Sequence, residues 1–469
     1  MTRRDLRVGQ AEQPRTRWRR HAGRTSTTIG VVTAYWCERA WLSSGVTDRV
    51  RVDADDAGLV TAVEVGVQPE PPDMRLAGVV LPGLANAHSH AFHRALRGRT
   101  HVGGGTFWTW REHMYEIAQR LDPDSYRRLA TAAYAEMALA GVTCVGEFHY
   151  VHHAPGGTPY DDPNAMGEAL REAATAAGIR LTLIDTCYLT GGFGRPLSTV
   201  QRRFGDGDAG KWAERVAALE PGPTSRIGVA IHSVRAVLPE QIATVVAASS
   251  GRPLHVHLSE QRAENEECLA AYAATPTQVL HDHGVLGPAT TAVHATHLTG
   301  DDIGLLGGAG VVTCFCPTTE RDLADGIGPA RALHDAGSSL ALGSDQHAVV
   351  DMFEEARALE MHERLDTGQR GRFAPDELLS ALTRAGHSSL GWPEAGRIEV
   401  GAPCDLVAVR LDTPRTAGVD PTQVVFAATN ADVDTVVVAG RAVVQSGRHL
   451  LGDVGSLLGD AVDAIWSRA

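Results

Sequence analysis

The chain has 469 residues, which is longer than one ordinary domain, and its 43% hydrophobic content is typical of a globular protein with a large core. Its formal net charge of -13 argues against nucleic acid as a partner, because phosphates would be repelled. No uninterrupted apolar run approaches the length that a bilayer span needs, so we also expect no membrane partner.

The first 28 residues differ in charge from the rest. Residues 1–24 contain eight arginines against Asp5 and Glu12, a net charge of +6. No apolar stretch follows the arginines, so we do not expect a secretory signal here. We predict a disordered tail or a segment added by an over-long start site, with a binding arm as the alternative. Seven cysteines without C-x-x-C spacing indicate reduced thiols and a cytoplasmic protein.

Short strands separated by turns follow in residues 29–80, as in "DRVRVDADDAGLVTAVEVG", and return in residues 396–452, as in "VDTVVVAGRAVVQSG". Each piece is too small for its own core. We therefore predict that the two pack together as one small β-sandwich domain, followed by a C-terminal helix over residues 453–469.

Residues 81–395 alternate apolar strand candidates with helical segments. Such alternation predicts a parallel sheet, and eight strands predict a distorted (β/α)8 barrel. In the helix "DPDSYRRLATAAYAEMALAG", we predict a cap at Asp124 and an end at Gly141. The strand candidates are VVLPGLANAHSH, VTCVGEFHY, RLTLIDTCYL, RIGVAIHSVRAV, PLHVHLSE, TAVHATHL, VVTCFCPTTE and LALGSDQH.

Polar and titratable residues gather at the carboxyl ends of most of these strands. Active sites of (β/α)8 barrels lie at that rim, so the pattern predicts one site built from distant parts of the chain. The residues, in strand order, are His88 and His90; Glu147, His149 and Tyr150; His232 and Arg235; His257 and Glu260; His294; and Asp345.

Four of these residues form a candidate metal site. His88 and His90 are two residues apart on a strand and so project to the same side. With His257 and Asp345 they could supply three imidazoles and a carboxylate, a set compatible with Zn²⁺ and a metal-activated water. An isolated H-x-H is more often a pair of satisfied polar residues; the matching strand ends favour a metal. Lys211, the only lysine, lies between strands, so we predict one divalent ion rather than a lysine-bridged pair.

Glu260 follows His257 by three residues, where the chain leaves the strand. A carboxylate there could take the water proton and pass it to a leaving nitrogen. His294 could polarise the reacting centre or hold the nucleophile, with His297 a competitor for this role. Asp345 could ligate the metal and also accept the nucleophile's proton. The alternative for each is a salt-bridged rim residue.

The ordered words "HSH", "HLSE", "HATHL" and "GSD" resemble the mononuclear deaminase branch of the amidohydrolase superfamily, over about residues 30–455. The resemblance implies a zinc ion held by His88, His90, His257 and Asp345, with Glu260 and His294 catalytic. It also implies a homodimer and a β-sandwich built from both chain ends.

The words "HSHAFHRA", "FWTWRE", "HSVRAV" and "CPTTERDLADG" narrow the resemblance to the iminohydrolases that act on N-formimino-L-glutamate. This implies hydrolysis of the formimino C=N group to N-formyl-L-glutamate and ammonia, in histidine degradation. Arginines can grip the two carboxylates of such a small-molecule substrate through paired hydrogen bonds. We expect Arg111 and Arg235 to do so, assisted by Tyr150 and His232. The family often has a glutamine at the position of His93, and that glutamine contacts the substrate. The resemblance therefore implies that His93 faces the substrate as well.

Two alternatives remain. Another deaminase of the same branch would act on a nucleobase, an adenosine-like compound or a triazine, and would need a stacking pocket rather than two arginines. A barrel that binds metal or ligand without catalysis is the second, although the ligands and Glu260 are present together. The loop "RTHVGGGTFWTW", with Gly103–Gly105, could be a mobile cover over the site or a plain connector.

Overall fold

The computed structural model describes residues 34–101 and 105–468. The predicted tail over residues 1–28, and Gly103 and Gly104 of the glycine-rich loop, lie outside the described residues. Within the described ranges the strands are β1 (Ala34–Leu42), β2 (Gly45–Ala54), β3 (Val60–Val65), β4 (Met74–Pro82), β5 (Leu84–Ser89), β6 (Val142–His149), β7 (Arg180–Cys187), β8 (Ser225–Ile231), β9 (Leu254–Leu258), β10 (Thr290–His294), β11 (Val312–Phe315), β12 (Leu340–Leu342), β13 (Leu406–Val409), β14 (Val433–Val438), β15 (Arg441–Gln445) and β16 (Arg448–His449).

The helices, again in chain order, are α1 (Phe107–Arg120), α2 (Pro123–Leu139), α3 (Ala165–Ala177), α4 (Ala209–Ala217), α5 (Pro239–Ser249), α6 (Arg262–Tyr272), α7 (Pro276–Asp282), α8 (Gly300–Gly308), α9 (Pro317–Asp322), α10 (Ala330–Ala336), α11 (Met352–Thr367), α12 (Pro375–Leu382), α13 (Arg384–Ser389) and α14 (Val454–Trp466). Short 3₁₀ helices include Ala91–Leu96 and Gln201–Phe204. No helix among the described residues has the length and apolar content that a membrane span requires.

The strands from the two chain ends pair in one sheet, in the order β16-β15-β14-β13-β4-β1-β2-β3. The central strand β4 pairs in parallel with β1 and antiparallel with β13, and so joins the N-terminal and C-terminal parts. Alternating residues such as Val50 and Val52 of β2 are fully buried, as expected for a sheet with one face against a core.

The middle of the chain forms a second sheet of eight parallel strands, β5 to β12 in sequence order. Its two edges meet, because Asp345 N–H donates to the His88 carbonyl at 3.0 Å and His90 N–H donates to the Asp345 carbonyl at 3.1 Å. Gly343 permits this approach: a Cβ there would lie 2.7 Å from both Cβ and O of His88. The predicted distorted (β/α)8 barrel is confirmed, and so is a β-structure built from both chain ends. The predicted β-sandwich is observed as one eight-stranded sheet.

Two boundaries differ from the prediction. The first predicted strand is two strands, because the chain leaves the end sheet after Pro82 and enters the barrel at Leu84. Between them Gly83 N–H donates to the Asp405 carbonyl at 3.0 Å, and a Cβ at Gly83 would lie 2.7 Å from Asp405 Cβ. Asp124 as the cap of α2 was also wrong. Asp122 caps it by accepting from Ser125 N–H at 2.8 Å, and Pro123 takes the first helical position.

Candidate active site

The predicted site residues stand where the barrel strands end. His88 lies in β5 and His90 just after it, His257 lies in β9, and His294 is the last residue of β10. Asp345 follows β12 by three residues. Because parallel strands place all their carboxyl ends on one rim, residues more than 250 positions apart in the chain meet there.

The four predicted metal ligands converge. His88 Nε2 lies 3.2 Å from His257 Nε2 and 3.4 Å from Asp345 Oδ1, and His90 Nε2 also lies 3.4 Å from Asp345 Oδ1. One ligand atom from each of His88, His90 and His257 fits within 4.8 Å of the others. All four side chains are buried, so these groups face one another rather than solvent.

Burial sets the protonation of this cluster. It lowers the pKa of His90 to about 3 and lowers the pKa of His88 and of His257, so the three imidazoles are neutral near pH 7. Burial disfavours ionisation of Asp345, but the contact with His88 Nε2 at 3.4 Å and the charge of His294 outweigh it, and the pKa of Asp345 falls. The cluster therefore presents nitrogen lone pairs and a carboxylate.

Several rim residues hold left-handed backbone conformations that non-glycine residues rarely adopt. The φ angles are 50° at Ser259, 69° at His294 and 41° at Asp345. Such conformations each cost about 1–3 kcal/mol and cluster at functional sites, where the surrounding structure enforces them.

Glu260 and His294 face each other beside the cluster. Glu260 Oε1 lies 3.8 Å from His294 Nε2, and Glu320 Oε1 lies 3.5 Å from His294 Nδ1. Burial raises the pKa of Glu260. Burial opposes protonation of His294, but the negative charges of Glu260, Asp345 and Glu320 outweigh it and raise the pKa of His294. Both groups therefore favour their protonated forms more than the free side chains do.

His297, the competitor of His294, points away from this pair. Its Nε2 lies 2.8 Å from the Asp325 carbonyl, whereas His294 lines the pocket. Glu320, which flanks His294, was not identified from the sequence as a site residue, although it stands in the word "CPTTERDLADG" just after β11.

A pocket opens above the cluster, and every predicted substrate-binding residue lines it: His93, Arg111, Tyr150, His232 and Arg235. Glu260, His294 and Asp345 line the same pocket. Its wall also carries aromatic side chains, including Trp110, Tyr115, Tyr188 and Phe204.

The two arginines are held differently. Arg111 lies on α1, with its guanidinium carbon 4.4 Å from the ring centre of Trp108. Arg235 is enclosed by carboxylates, with Nη2 3.8 Å from Glu260 Oε2 and Nε 3.7 Å from Glu264 Oε2. Both separations exceed hydrogen-bond length, so the Arg235 donors remain open to a closer partner.

His93 and Glu147 support the segment that carries His88 and His90. His93 Nε2 lies 3.1 Å from the Tyr150 hydroxyl, which ties the predicted substrate contacts together. Glu147 accepts from Ala91 N–H at 2.7 Å and from Ser89 Oγ at 2.8 Å, and burial raises its pKa to about 8. Its position at the end of β6 was noticed in the sequence, but its role as an anchor for this segment was not predicted.

A second buried cluster also has metal-ligand spacing. Ligand atoms of His149, His152 and Asp185 lie within 4.8 Å of one another. However, Arg215 Nη1 and Nη2 donate to the two Asp185 oxygens at 2.7 Å and 2.9 Å, and Trp212 Nε1 donates to one of them at 2.9 Å. The carboxylate is already neutralised by a buried ion pair, so this cluster is structural rather than a cation site.

Comparison with known proteins shows similarity to amidohydrolases and deaminases along most of the chain. Residues 79–443 match the model of the Amidohydrolase family. A formimidoylglutamate deiminase of Pseudomonas aeruginosa is 37% identical over 436 residues, covering 89% of this chain and 96% of that protein. An 8-oxoguanine deaminase of the same species is 30% identical over 397 residues, covering 82% and 87%. The crystal structure of an amidohydrolase from Brucella melitensis superimposes with a TM-score of 0.86 at 31% identity, covering 92% of this chain and all of that one.

Proposed function

Because the chain belongs to the amidohydrolase family and is related to deaminases, it is a hydrolase acting on C–N bonds, and we propose that its substrate is N-formimino-L-glutamate. The products would be N-formyl-L-glutamate and ammonia. The relative that carries this activity in its name is similar over 89% of the chain.

One observation supports this substrate over others: Arg111, Arg235 and Arg195 line the pocket that holds Glu260 and His294. Arg195 is paired with Glu267 at 3.4 Å, which leaves Arg111 and Arg235 as the main candidates for binding carboxylates. The protein has a formal net charge of -13, so a dianionic ligand needs local cations. Arg111 and Arg235 provide them, while Tyr150 and His232 add hydrogen-bond donors.

The residues fit a divalent metal ion. His90 Nδ1 lies 2.8 Å from the Phe148 carbonyl and must donate to it, which leaves a lone pair on Nε2. That lone pair faces Asp345 Oδ1 at 3.4 Å. Two electron-rich atoms facing each other in a buried site are stabilised by a cation between them. His88, His90, His257 and Asp345 would hold it, and their nitrogen and oxygen donors suit Zn²⁺.

The proposed chemistry assigns a proton path to the chain's own residues. A bound divalent ion would supply Lewis acidity, which makes water more acidic and the substrate carbon more electrophilic. Glu260 accepts a proton from the attacking water and passes it to the imino nitrogen as the C–O bond forms. The second hydrogen of the water follows from the new hydroxyl to the same nitrogen as the C=O bond forms and the C–N bond breaks, and the nitrogen leaves as ammonia. The raised pKa of Glu260 suits this two-way transfer. His294, kept protonated between Glu260 and Glu320, stabilises the tetrahedral centre as the C–N bond breaks.

A purine deaminase is the second candidate, and the aromatic wall of the pocket favours it. Trp110, Tyr150, Tyr188 and Phe204 could stack on a ring, and one relative is named as an 8-oxoguanine deaminase. The two arginines have no obvious partner in a neutral purine, which is why the dicarboxylate is preferred.

Ammonia release separates the two candidates. The purified protein should be supplied with N-formimino-L-glutamate, 8-oxoguanine, guanine, cytosine and adenosine at matched concentrations. The proposal predicts turnover of the formimino compound with a kcat/KM at least a hundredfold above any ring compound. Turnover of ring compounds alone would overturn it.

A further inference from the structure

A glutamine behind the pocket wall fixes the orientation of two tyrosines. Gln201 is 5% exposed, and its Nε2 donates to the Tyr115 hydroxyl at 3.1 Å and to the Tyr188 hydroxyl at 2.9 Å. Ser198 N–H donates to Gln201 Oε1 at 3.0 Å. Because a backbone N–H can only donate, this contact assigns the amide oxygen and nitrogen and shows that Nε2 faces the tyrosines.

The phenol hydrogens must therefore point elsewhere. Each tyrosine oxygen accepts a hydrogen from Gln201, so its own hydrogen is available to another acceptor. Even if one hydroxyl donates to the other, the second still has a hydrogen to donate. Both tyrosines line the pocket. Burial is the main cause that raises the pKa of Tyr115, so this hydroxyl stays protonated near pH 7.

The Tyr188 ring lies further from the candidate metal ligands than Tyr150 and His232 do. Tyr150 and His232 pack directly on the candidate metal ligands, with ring centres 5.3 Å from His90 and 5.0 Å from His257 respectively. Tyr188 packs on His232 at 4.3 Å, one side chain further out.

Tyr115 stands beside an arginine at the same part of the wall. The guanidinium carbon of Arg111 lies 5.6 Å from the Tyr115 ring centre, and Tyr115 and Arg111 both line the pocket. At least one phenol donor and a guanidinium thus belong to the same stretch of the pocket lining. That combination recognises a carboxylate.

We infer that Tyr115 and Tyr188, oriented by Gln201, bind with Arg111 the carboxylate of the substrate that is distal to the reacting carbon. This inference rests on the proposed function and extends it. Tyr115 and Tyr188 become specificity-determining residues for a dicarboxylate, and Gln201 becomes a positioning residue.

Tyr115→Phe and Tyr188→Phe test the contact with two substrates. N-Formimino-L-norvaline has the length of the glutamate compound but a methyl group in place of the distal carboxylate. Each variant should raise KM for N-formimino-L-glutamate about tenfold, the value of one hydrogen bond to a charged group, and change kcat less than threefold. kcat/KM for the norvaline compound should change less than twofold. Tyr272→Phe, on α6 away from the pocket, is the matched control and should match wild type.

Gln201 is tested by a pair of substitutions. Gln201→Glu keeps the shape and the acceptor for Ser198 N–H, but it would accept from both tyrosine hydroxyls and turn their hydrogens away from the pocket. It should raise KM for the dicarboxylate at least tenfold, whereas Gln201→Met should raise it less than fivefold. Equal effects of the two substitutions, at equal melting temperature, would show that Gln201 only fills space.

Calorimetry with glutarate separates failure of this inference from failure of the proposed function. If wild type binds glutarate and the tyrosine variants bind it about tenfold more weakly, the distal subsite stands whatever the turnover assay gives. If the variants bind glutarate as wild type does, or lose kcat/KM equally on both formimino substrates, the inference is wrong. If wild type neither binds glutarate nor releases ammonia from N-formimino-L-glutamate, both proposals fall.

Discussion

Replacing Glu260 with glutamine tests the proposed proton path, because it keeps the shape of the side chain and removes its capacity to accept a proton. The side chain is 8% exposed and lies 3.8 Å from both His294 Nε2 and Arg235 Nη2, so solvent offers no ready substitute. General acid–base catalysis contributes about a hundredfold to ten-thousandfold to enzymatic rates. We expect kcat to fall about a thousandfold, which is about 4 kcal/mol of transition-state stabilisation.

The same substitution should leave the fold intact. Burial raises the pKa of Glu260, so its ionised form is disfavoured in the folded protein, and a neutral amide removes that cost. The melting temperature should equal or exceed that of wild type. Ammonia release gives kcat, elemental analysis gives metal content, and calorimetry gives the melting temperature.

Glu264→Gln is the matched control for the charge. It removes the other carboxylate beside Arg235, 3.7 Å from its Nε, and should keep kcat within tenfold of wild type. If Glu260→Gln retained kcat within tenfold while keeping its metal, Glu260 would not be the proton carrier. If both variants lost kcat equally, the loss would come from removing a negative charge beside Arg235 and not from removing a proton acceptor.

Three further predictions concern Arg235, the metal and the buried ion pair of Arg215. Arg235→Ala should raise KM for N-formimino-L-glutamate at least thirtyfold with unchanged metal content. An unchanged KM would show that Arg235 does not bind a substrate carboxylate. Chelation should abolish ammonia release and Zn²⁺ should restore it, whereas full activity without metal would refute the ligand assignment. Arg215→Met should cost about 3–5 kcal/mol in urea unfolding, because it leaves a buried carboxylate unpaired. The pKa of Asp185 is lowered from 3.8 to about 2, so the ion pair stabilises the fold above this range and its stabilisation is lost as pH falls through it. The free energy of unfolding of Arg215→Met should not show this loss.

The barrel and its rim could be predicted because their signals are local. Each strand is a short apolar run, and His88, His90, His257 and Asp345 sit at strand ends that parallel pairing must bring together. The preference for His294 over His297 also followed from distance along the strand, and the pocket contains His294.

Features that depend on long-range packing could not be predicted. The break at Gly83 follows from a hydrogen bond to Asp405, more than 300 residues away. Gln201 begins a 3₁₀ helix, Tyr115 lies on α1 and Tyr188 follows β7. The hydrogen bonds between them exist only because these three segments meet in the folded chain. The left-handed backbone at His294 and Asp345 could not be predicted either, because aspartate and histidine adopt it only at a minority of positions.

Anomalous diffraction at the zinc edge, from crystals of zinc-loaded protein grown with N-formyl-L-glutamate, tests the proposed metal site and carboxylate contacts most directly. We predict one peak at about 2.0–2.2 Å from nitrogen atoms of His88, His90 and His257 and an oxygen of Asp345. The carboxylates of the bound molecule should lie against Arg235 and Arg111. A peak among other residues, or a molecule whose carboxylates avoid both arginines, would contradict these assignments.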